Sequence, residues 1–459
     1  MNNFHADKLV DLLEQASSAA IDYIKNTPNH PVIPNAAAIE NLASLKVSLP
    51  STATDPTTVL NELSELGTSS TVRTTGGRYF GFVTGGTLPV GLAANWLAAS
   101  WDQNAALHVM SPLATALESV CEKWLIDLFA LPKSSCASFV TGSSVGNICA
   151  LAAARHHIYQ QQGWDVERRG LRNAPDIQIV ASAAAHSSIA KAVALLGLGT
   201  DNIIAAAVDE QGRVDPRQLP QLSKNTILIL QAGNVNSGSF DPFAELCNIA
   251  KQAGAWVHID GAFGLWAAAC AEKSHLTKGI ELADSWVTDA HKTLNASYDS
   301  GIVFCRHAED LSAAMAASGN YIQYSEQRDP MLMAPEMSRR GRAIELYAIL
   351  KTLGQNGIND LVSHLCGLTN LCATLLSDSE LTIDNDVVFN QLLVRLPTDE
   401  ATTKLLEYIQ ASGELWCGGA RWQGNRVIRI SICAWASTDT DVKRAVEVIH
   451  DGIERVNSA

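Results

Sequence analysis

A short polar segment, Asp289-Ala290-His291-Lys292-Thr293, follows the apolar run at residues 286–288. If that run is a strand of an α/β sheet, the segment lies where such sheets form their ligand crevices. A lysine held there beside other polar groups can lose its proton and condense with an aldehyde. Taken alone, Lys292 is more simply a solvated lysine and His291 a half-buried imidazole. The assignment of a nucleophile therefore depends on the residues that accompany it.

An acid occupies the equivalent place after another apolar run. Ala255-Trp256-Val257 leads into His258-Ile259-Asp260-Gly261-Ala262-Phe263, and Asp260 precedes Lys292 by 32 residues. That interval accommodates a helix and a return strand, which would bring both residues to one edge of the sheet. A carboxylate is costly to bury there without a cation, and a protonated pyridine nitrogen is such a partner. The alternative is an aspartate that caps the next helix.

Three further polar segments also follow apolar runs. In residues 139–147, Gly142 permits a tight turn, and Ser143 and Ser144 suit a phosphate at a helix N-terminus. No Walker lysine or GxGxxG is present, which favours a small phosphorylated cofactor over a nucleotide. His186 is suited to stack on a planar ring, and Asn234 lies in a polar loop at residues 232–242. Each of these, on its own, is equally well explained by a plain turn or a helix cap.

The surrounding pattern predicts the scaffold that positions these residues. Ser111-Pro112 forms a good start for a helix that ends before Leu131-Pro132. Further helical patterns cover residues 147–159 and 242–253. They alternate with short apolar runs at 137–140, 177–181, 227–230, 256–259, 286–288 and 302–305. Strands that alternate with helices predict a largely parallel sheet covered on both faces.

The two ends of the chain differ from this middle. Residues 7–24 carry an amphipathic helical stripe, and five prolines between positions 28 and 56 then indicate an extended arm. Near the other end, a helix at 343–353 leads through Gly357 into a second helix. The elements predicted after it are a strand at 387–396, a helix at 402–409, a strand at 426–434 and a helix at 439–456. We therefore predict an N-terminal helical and extended arm (1–75), a large domain (76–345) and a small α+β domain (346–459).

Composition restricts the class of partner. With 33 Lys+Arg against 47 Asp+Glu, the net charge of −14 argues against nucleic acid or an anionic membrane. The ten cysteines show no CxxC pair and no metal-ligand spacing, so we expect reduced thiols, no bound metal and a cytoplasmic location. Residues 1–10 contain charges and no apolar run, so we expect no secretory signal. The uncharged stretch at 79–101 is interrupted by glycines and Pro89, which favours a buried loop and helix over a membrane span.

The order and spacing of the five polar segments resemble those of the group II pyridoxal-phosphate (PLP)-dependent decarboxylases, from about Arg78 to Ala434. This family includes aromatic-amino-acid, glutamate, histidine and diaminobutyrate decarboxylases. Further matching segments are Tyr79-Phe80-Gly81-Phe82, Ser111-Pro112 with Glu118, residues 209–215, Ser338-Arg339-Arg340-Gly341-Arg342 and Arg429-Ile430-Ser431-Ile432-Cys433. The resemblance implies PLP fold type I, with a mostly parallel seven-stranded sheet between helices, a small C-terminal α+β domain and an N-terminal helical arm. It also implies a homodimer with active sites near the subunit interface.

The resemblance implies roles for the residues of the first motifs. Lys292 would carry PLP as a Schiff base, with His291 as the preceding residue of the family's His-Lys pair. Asp260 would bind the pyridine nitrogen, Ala262 would lie against the ring, and His186 would stack on the other ring face.

Six more positions match cofactor or substrate positions of the family. The expected phosphate ligands are Ser143 and Ser144, and Asn234 matches a position near the cofactor. The expected substrate-side residues are Phe82, Thr84 and Arg429. The expected reaction is decarboxylation of an L-amino acid to the amine and carbon dioxide.

Three departures from the family leave alternatives open. Many relatives carry a protonating tyrosine in a loop before the Arg-Arg pair, but residues 328–333 contain none, and Tyr321 and Tyr324 lie at a different spacing. Asp289-Ala290 replaces the more usual Asn-Pro or Ser-Ala/Gly, so Asp289 is expected to hydrogen-bond a neighbour instead of a phosphate. The polar run Asp102-Gln103-Asn104 argues mildly against a large indole or catechol substrate. A carbon–carbon lyase, a decarboxylation-dependent aldehyde synthase and a non-catalytic binding protein therefore remain alternatives.

Overall fold

The computed structural model of the protein describes residues 8–316 and 327–458. Its first part is a helical arm with α1 (Leu9–Asn26), α2 (Ala36–Asn41) and α3 (Pro56–Ser70). The expectation of an extended chain was wrong for α3. Pro56 is the first residue of that helix, and the Asp55 carboxylate caps it by accepting from the Thr57 amide at 3.0 Å. A proline at this position is compatible with a helix because the first amide has no intrahelical acceptor.

A seven-stranded sheet follows, with the order β1-β7-β6-β5-β4-β2-β3. Its strands are β1 (Cys136–Val140), β2 (Gln178–Ser182), β3 (Ile203–Ala206), β4 (Thr226–Gln231), β5 (Trp256–Asp260), β6 (Ser285–Asp289) and β7 (Gly301–Cys305). Pairing is parallel from β3 across to β6, whereas β7 is antiparallel to both β1 and β6. The prediction of a mostly parallel seven-stranded sheet is confirmed.

Helices cover both faces of this sheet, and they are α4 (Pro89–Trp101), α5 (Pro112–Leu128), α6 (Ser143–Gln161), α7 (Val166–Arg169), α8 (Ser187–Leu195), α9 (Phe243–Ala253) and α10 (Ala308–Met315). The predicted start of α5 is confirmed, since the Ser111 hydroxyl accepts from the Ala114 amide. Every residue of β1, β4, β5, β6 and β7 is buried, which explains why these strands appear in the sequence as continuous apolar runs. Among the described residues, no helix is long and apolar enough to cross a bilayer.

The C-terminal part contains a second sheet, with the order β10-β11-β9-β8 and antiparallel pairing throughout. Its strands are β8 (Thr382–Ile383), β9 (Gln391–Arg395), β10 (Gly418–Trp422) and β11 (Asn425–Ser431), and its helices are α11 (Ala343–Leu376), α12 (Asp399–Ser412) and α13 (Asp439–Asn457). The helix break predicted at Gly357 lies instead at Gly354, whose φ of 58° interrupts α11. The N-terminal half of α11 packs on the large core and its C-terminal half on the small core. The predicted boundary at 345/346 thus falls within a helix and remains a prediction.

Candidate active site

The carboxyl ends of neighbouring strands place the predicted residues along one edge of the large sheet. Asp260 is the last residue of β5, and Asp289 is the last residue of β6 beside it. Helix α6 starts at Ser143 shortly after β1, and His186 caps α8 after β2. Because parallel strands share one direction, residues far apart in sequence reach a common crevice.

Lys292 follows Asp289 in the turn after β6. Its Nζ lies 3.1 Å from Oδ2 of Asp289, and its side chain is 20% exposed. Burial favours the neutral amine, but the carboxylates of Asp289 and Asp260 more than offset it and raise the pKa of Lys292. Lys292 is therefore a reachable amine that Asp289 and Asp260 hold as an ammonium ion.

Asp260 is a buried carboxylate with neutral hydrogen-bond donors. It accepts from Asn147 Nδ2 at 3.2 Å and from the Ala262 amide at 3.2 Å, and the residue is 5% exposed. In the described ranges, no lysine, arginine or histidine nitrogen lies within 4.0 Å of it. A buried anion without a close cation fits a protonated ring nitrogen as its partner.

A hydrogen-bonded chain joins Asp260 to His186. Asn147 Nδ2 also lies 3.2 Å from the Ser188 hydroxyl, which in turn lies 2.8 Å from His186 Nδ1. On its other side, the Asn147 carbonyl oxygen lies 2.8 Å from Nε2 of the fully buried His258. Burial lowers the pKa of His258 to about 3, so this imidazole is neutral. Asn147 thus orients Asp260, and Ser188 orients His186. The sequence assigned no role to Asn147 or Ser188.

The start of α6 is occupied by an acidic side chain. Asp289 Oδ1 accepts from the Ser143 amide at 2.6 Å, and Oδ2 accepts from the Ser143 hydroxyl at 2.8 Å. The expectation that Asp289 hydrogen-bonds a neighbour is met. Ser144, the other predicted phosphate ligand, is exposed.

Asn234 and Ala262 lie in the two loops that flank this crevice. The Asn234 amide donates to the Ala184 carbonyl at 3.2 Å, and its oxygen accepts from the Asn236 amide at 2.9 Å. Asn234 therefore shapes its loop, and its contact with a cofactor remains a prediction. Ala262 lies two residues after Asp260 and is half-buried, and its contact with a cofactor ring also remains a prediction.

The predicted substrate-side residues come from two segments, the loop at 79–88 and β11. Phe82 is 63% exposed and stacks on Trp416, with ring centroids 5.1 Å apart. Thr84, two residues on, lies beside the Tyr298 hydroxyl and partly offsets the effect of burial on the pKa of that hydroxyl. Arg429 of β11 donates to the Val235 carbonyl at 3.1 Å, and its charge contributes to lowering the pKa of His186, after burial of the imidazole as the main cause. The small sheet thus supplies a cation to the edge of the crevice.

Tyr298 is a site residue that the sequence did not reveal. Its ring contacts that of His291, with centroids 4.4 Å apart, and although 58% of the residue is exposed, partial burial of its hydroxyl raises the pKa of that group. Its position, six residues after Lys292, carries no motif that would mark it. The fold therefore places a tyrosine hydroxyl beside Thr84 and the Lys292 turn.

Asn295 is a second residue that the sequence did not reveal. It is fully buried, and its side chain accepts from the Gly86 amide at 2.6 Å and the Trp435 amide at 2.9 Å and donates to the Cys433 carbonyl at 3.0 Å. It thereby ties the Lys292 turn to the loop at 79–88 and to the segment after β11.

Two other departures from the family concern Asn104 in the polar run at 102–104 and the tyrosines upstream of the Arg-Arg pair. Asn104 accepts from the amides of Ala106 and Arg339 at 3.1 and 3.2 Å, so it pins a loop. Tyr321 and Tyr324 lie outside the described residues.

The chain matches the family described as "Pyridoxal-dependent decarboxylase conserved domain" over residues 41–393, about three quarters of its length. It therefore belongs to the pyridoxal-dependent decarboxylase family, and it is a PLP-dependent carboxy-lyase. It is 24% identical over 488 aligned residues to a tyrosine decarboxylase of Papaver somniferum, covering 95% of this chain and 93% of the relative. It is also 23% identical to a phenylacetaldehyde synthase of a Rosa hybrid cultivar, covering 95% and 92%. The structure of Oryza sativa TDC with PLP and tryptamine superposes with a TM-score of 0.90 at 21% identity, covering 99% of each chain.

The residues of the crevice fit this cofactor at two ends. Lys292 offers an amine to the aldehyde, and the buried Asp260 offers a carboxylate to the ring nitrogen. At the phosphate end, the N-terminus of α6 offers backbone donors, but Asp289 already accepts from the first of them.

Proposed function

We propose that the protein decarboxylates an L-amino acid to the corresponding amine and carbon dioxide. The observation that carries this proposal is that a reachable Lys292 and a buried Asp260 follow adjacent strands, β6 and β5, at the same edge of the sheet. When bound, pyridoxal phosphate supplies an aldehyde for the amine and an electron sink for the pair left by carbon dioxide. Lys292 would hold it through its amine, and Asp260 would keep a proton on its ring nitrogen.

The remaining residues orient the substrate. His186 would stack on the cofactor ring, with its Nδ1 held by the Ser188 hydroxyl at 2.8 Å. Arg429 attracts the substrate carboxylate, while the stacked rings of Phe82 and Trp416 offer an apolar surface to the substrate side chain. Tyr298 Oη, beside Thr84, returns a proton to the carbon that loses carbon dioxide.

We also propose that the protein is a cytoplasmic homodimer. Large apolar side chains are exposed on α1 and α4, namely Leu9, Leu13, Ile24, Trp96, Leu97 and Trp101. A cavity of about 980 Å³ opens between these helices and α3. Exposed apolar surface of this kind favours burial against a second copy. All ten cysteines are free thiols, which supports a reducing compartment.

A panel of aromatic, acidic and basic L-amino acids tests the reaction, with carbon dioxide, amine and aldehyde measured separately. We expect one substrate to release carbon dioxide and amine in equal amounts. Carbon dioxide with aldehyde in place of amine would support the aldehyde synthase alternative, which the resemblance to the Rosa enzyme favours. An aldehyde without carbon dioxide would indicate the carbon–carbon lyase. No turnover with any member, together with no yellow cofactor band, would refute a catalytic role.

A further inference from the structure

Asp289 contacts both Ser143, the proposed ligand of the cofactor phosphate, and Lys292, the proposed partner of the cofactor aldehyde. One carboxylate oxygen accepts from the Ser143 amide, and the other lies 2.8 Å from the Ser143 hydroxyl and 3.1 Å from Lys292 Nζ. The residue is 2% exposed, so these contacts are little weakened by water. A single carboxylate therefore bridges the proposed phosphate donors and the proposed Schiff-base lysine.

We propose that Asp289 is a positioning residue that slows the loading of PLP, because its contacts with Ser143 and Lys292 must be released before the phosphate donors and the amine become available. This inference rests on the proposed function, because it assumes that Lys292 carries the cofactor. It assigns to Asp289 control over how fast the cofactor is loaded.

The phosphate end provides the first reason. A phosphate carries about −1.5 to −2 charges at neutral pH and requires the same donors that the Asp289 carboxylate occupies. Two anions at one helix N-terminus repel each other, and this repulsion is strong where water is excluded. Removal of the carboxylate charge should therefore favour entry of the phosphate.

The lysine end provides the second reason. Only a neutral amine attacks an aldehyde, and Asp289 stabilises the ammonium form of Lys292. Within the part of the chain that the structure describes, the charged or titratable groups that face Lys292 are Asp289, Asp260, His291, His186, Tyr298 and Cys433. Of these, Asp289 makes the direct ion pair. Its neutralisation should lower the pKa of Lys292 and shift the pH dependence of loading to lower pH.

The experiment follows the yellow absorbance band as cofactor is added back to stripped protein. Wild type, Asp289→Asn and Asp289→Ser are loaded with PLP and with pyridoxal, which lacks the phosphate, between pH 6 and 9. We expect Asp289→Asn to load PLP about tenfold faster than wild type at pH 7, with a smaller gain for pyridoxal. We also expect the midpoint of its rate–pH profile to lie at lower pH. A residue with only a structural role would shift neither the midpoint nor the ratio between the two aldehydes.

Asp310→Asn serves as the matched control, because that carboxylate pairs with His157, which is not one of the site residues. Near-ultraviolet circular dichroism confirms that each variant is folded, and Asp289→Ser provides a second folded variant. If folded Asp289→Asn or Asp289→Ser loads PLP no faster than wild type, the inference is wrong. If wild type itself forms no band through Lys292, the proposed function fails instead, so the two failures are distinguishable.

Discussion

Replacement of Asp260 by asparagine tests how this protein holds the ring nitrogen of its cofactor. The carboxylate is 5% exposed and, in the described chain, has only the amide donors of Asn147 and Ala262 as close partners. At an effective dielectric constant of about 20, a charge pair separated by about 4 Å is stabilised by about 4 kcal/mol. That energy corresponds to about three pKa units on the ring nitrogen. In Asp260→Asn the nitrogen should therefore be largely unprotonated at neutral pH.

We expect kcat of Asp260→Asn to fall by roughly 10²–10³-fold, because an unprotonated ring is a weaker electron sink. Steady-state kinetics with the identified substrate gives the change, and the visible spectrum verifies that cofactor is bound. A cofactor methylated at the ring nitrogen has a fixed positive charge, so it should restore part of the activity. Asp310→Asn again serves as the control. A cofactor-loaded Asp260→Asn enzyme with kcat within threefold of wild type would refute the assignment.

Three other substitutions test further residues in and around the site. Tyr298→Phe removes the hydroxyl beside Thr84, and we expect kcat to fall by about 10²-fold with an unchanged cofactor spectrum and more aldehyde among the products; unchanged kinetics would exclude Tyr298 as the proton donor. Asn295→Ala should lower the unfolding free energy in urea by about 2–4 kcal/mol, because it leaves several buried backbone groups unpaired; a smaller loss than 1 kcal/mol would contradict its connecting role. Burial lowers the pKa of His258 to about 3, so the folded protein keeps this imidazole neutral. Below about pH 6.5 the unfolded chain binds a proton there that the folded protein does not. The free energy of unfolding should therefore decline as pH falls below about 6.5, by about 1.4 kcal/mol per pH unit. Urea unfolding of wild type and His258→Gln between pH 4 and 7 should show a shallower decline in the variant, and parallel curves would refute this.

The sequence predicted the centre of the fold better than its margins. Strands such as β4 and β5 are buried on both faces, so their apolar runs are continuous and easily recognised. Strand β3 was not predicted because it lies at the sheet edge and two of its residues are exposed. Strand β8 was not predicted because it has only two residues, too few for a pattern. Helix α3 was taken for an extended chain because prolines, serines and threonines dominate the segment before it.

The site shows the same division. Lys292, Asp260 and His186 were found because each follows an apolar run, and strand ends converge in a parallel sheet. Asn147, Asn295 and Tyr298 were not found, since their importance comes from contacts with residues distant in sequence, such as the bonds of Asn295 to Gly86 and Trp435. No local pattern records such contacts. Ser143 was found from its turn, but its pairing with Asp289 depends on how β6 packs beside α6.

The attachment point of the cofactor is the central claim, and borohydride reduction of the loaded protein tests it most directly. Reduction converts a lysine–cofactor Schiff base into a stable secondary amine, which peptide mass spectrometry locates. We predict that the pyridoxyl group is found on the peptide that contains Lys292, and that Lys292→Ala abolishes both the label and the yellow band. Labelling of a different lysine, or a loaded and active Lys292→Ala protein, would contradict the account.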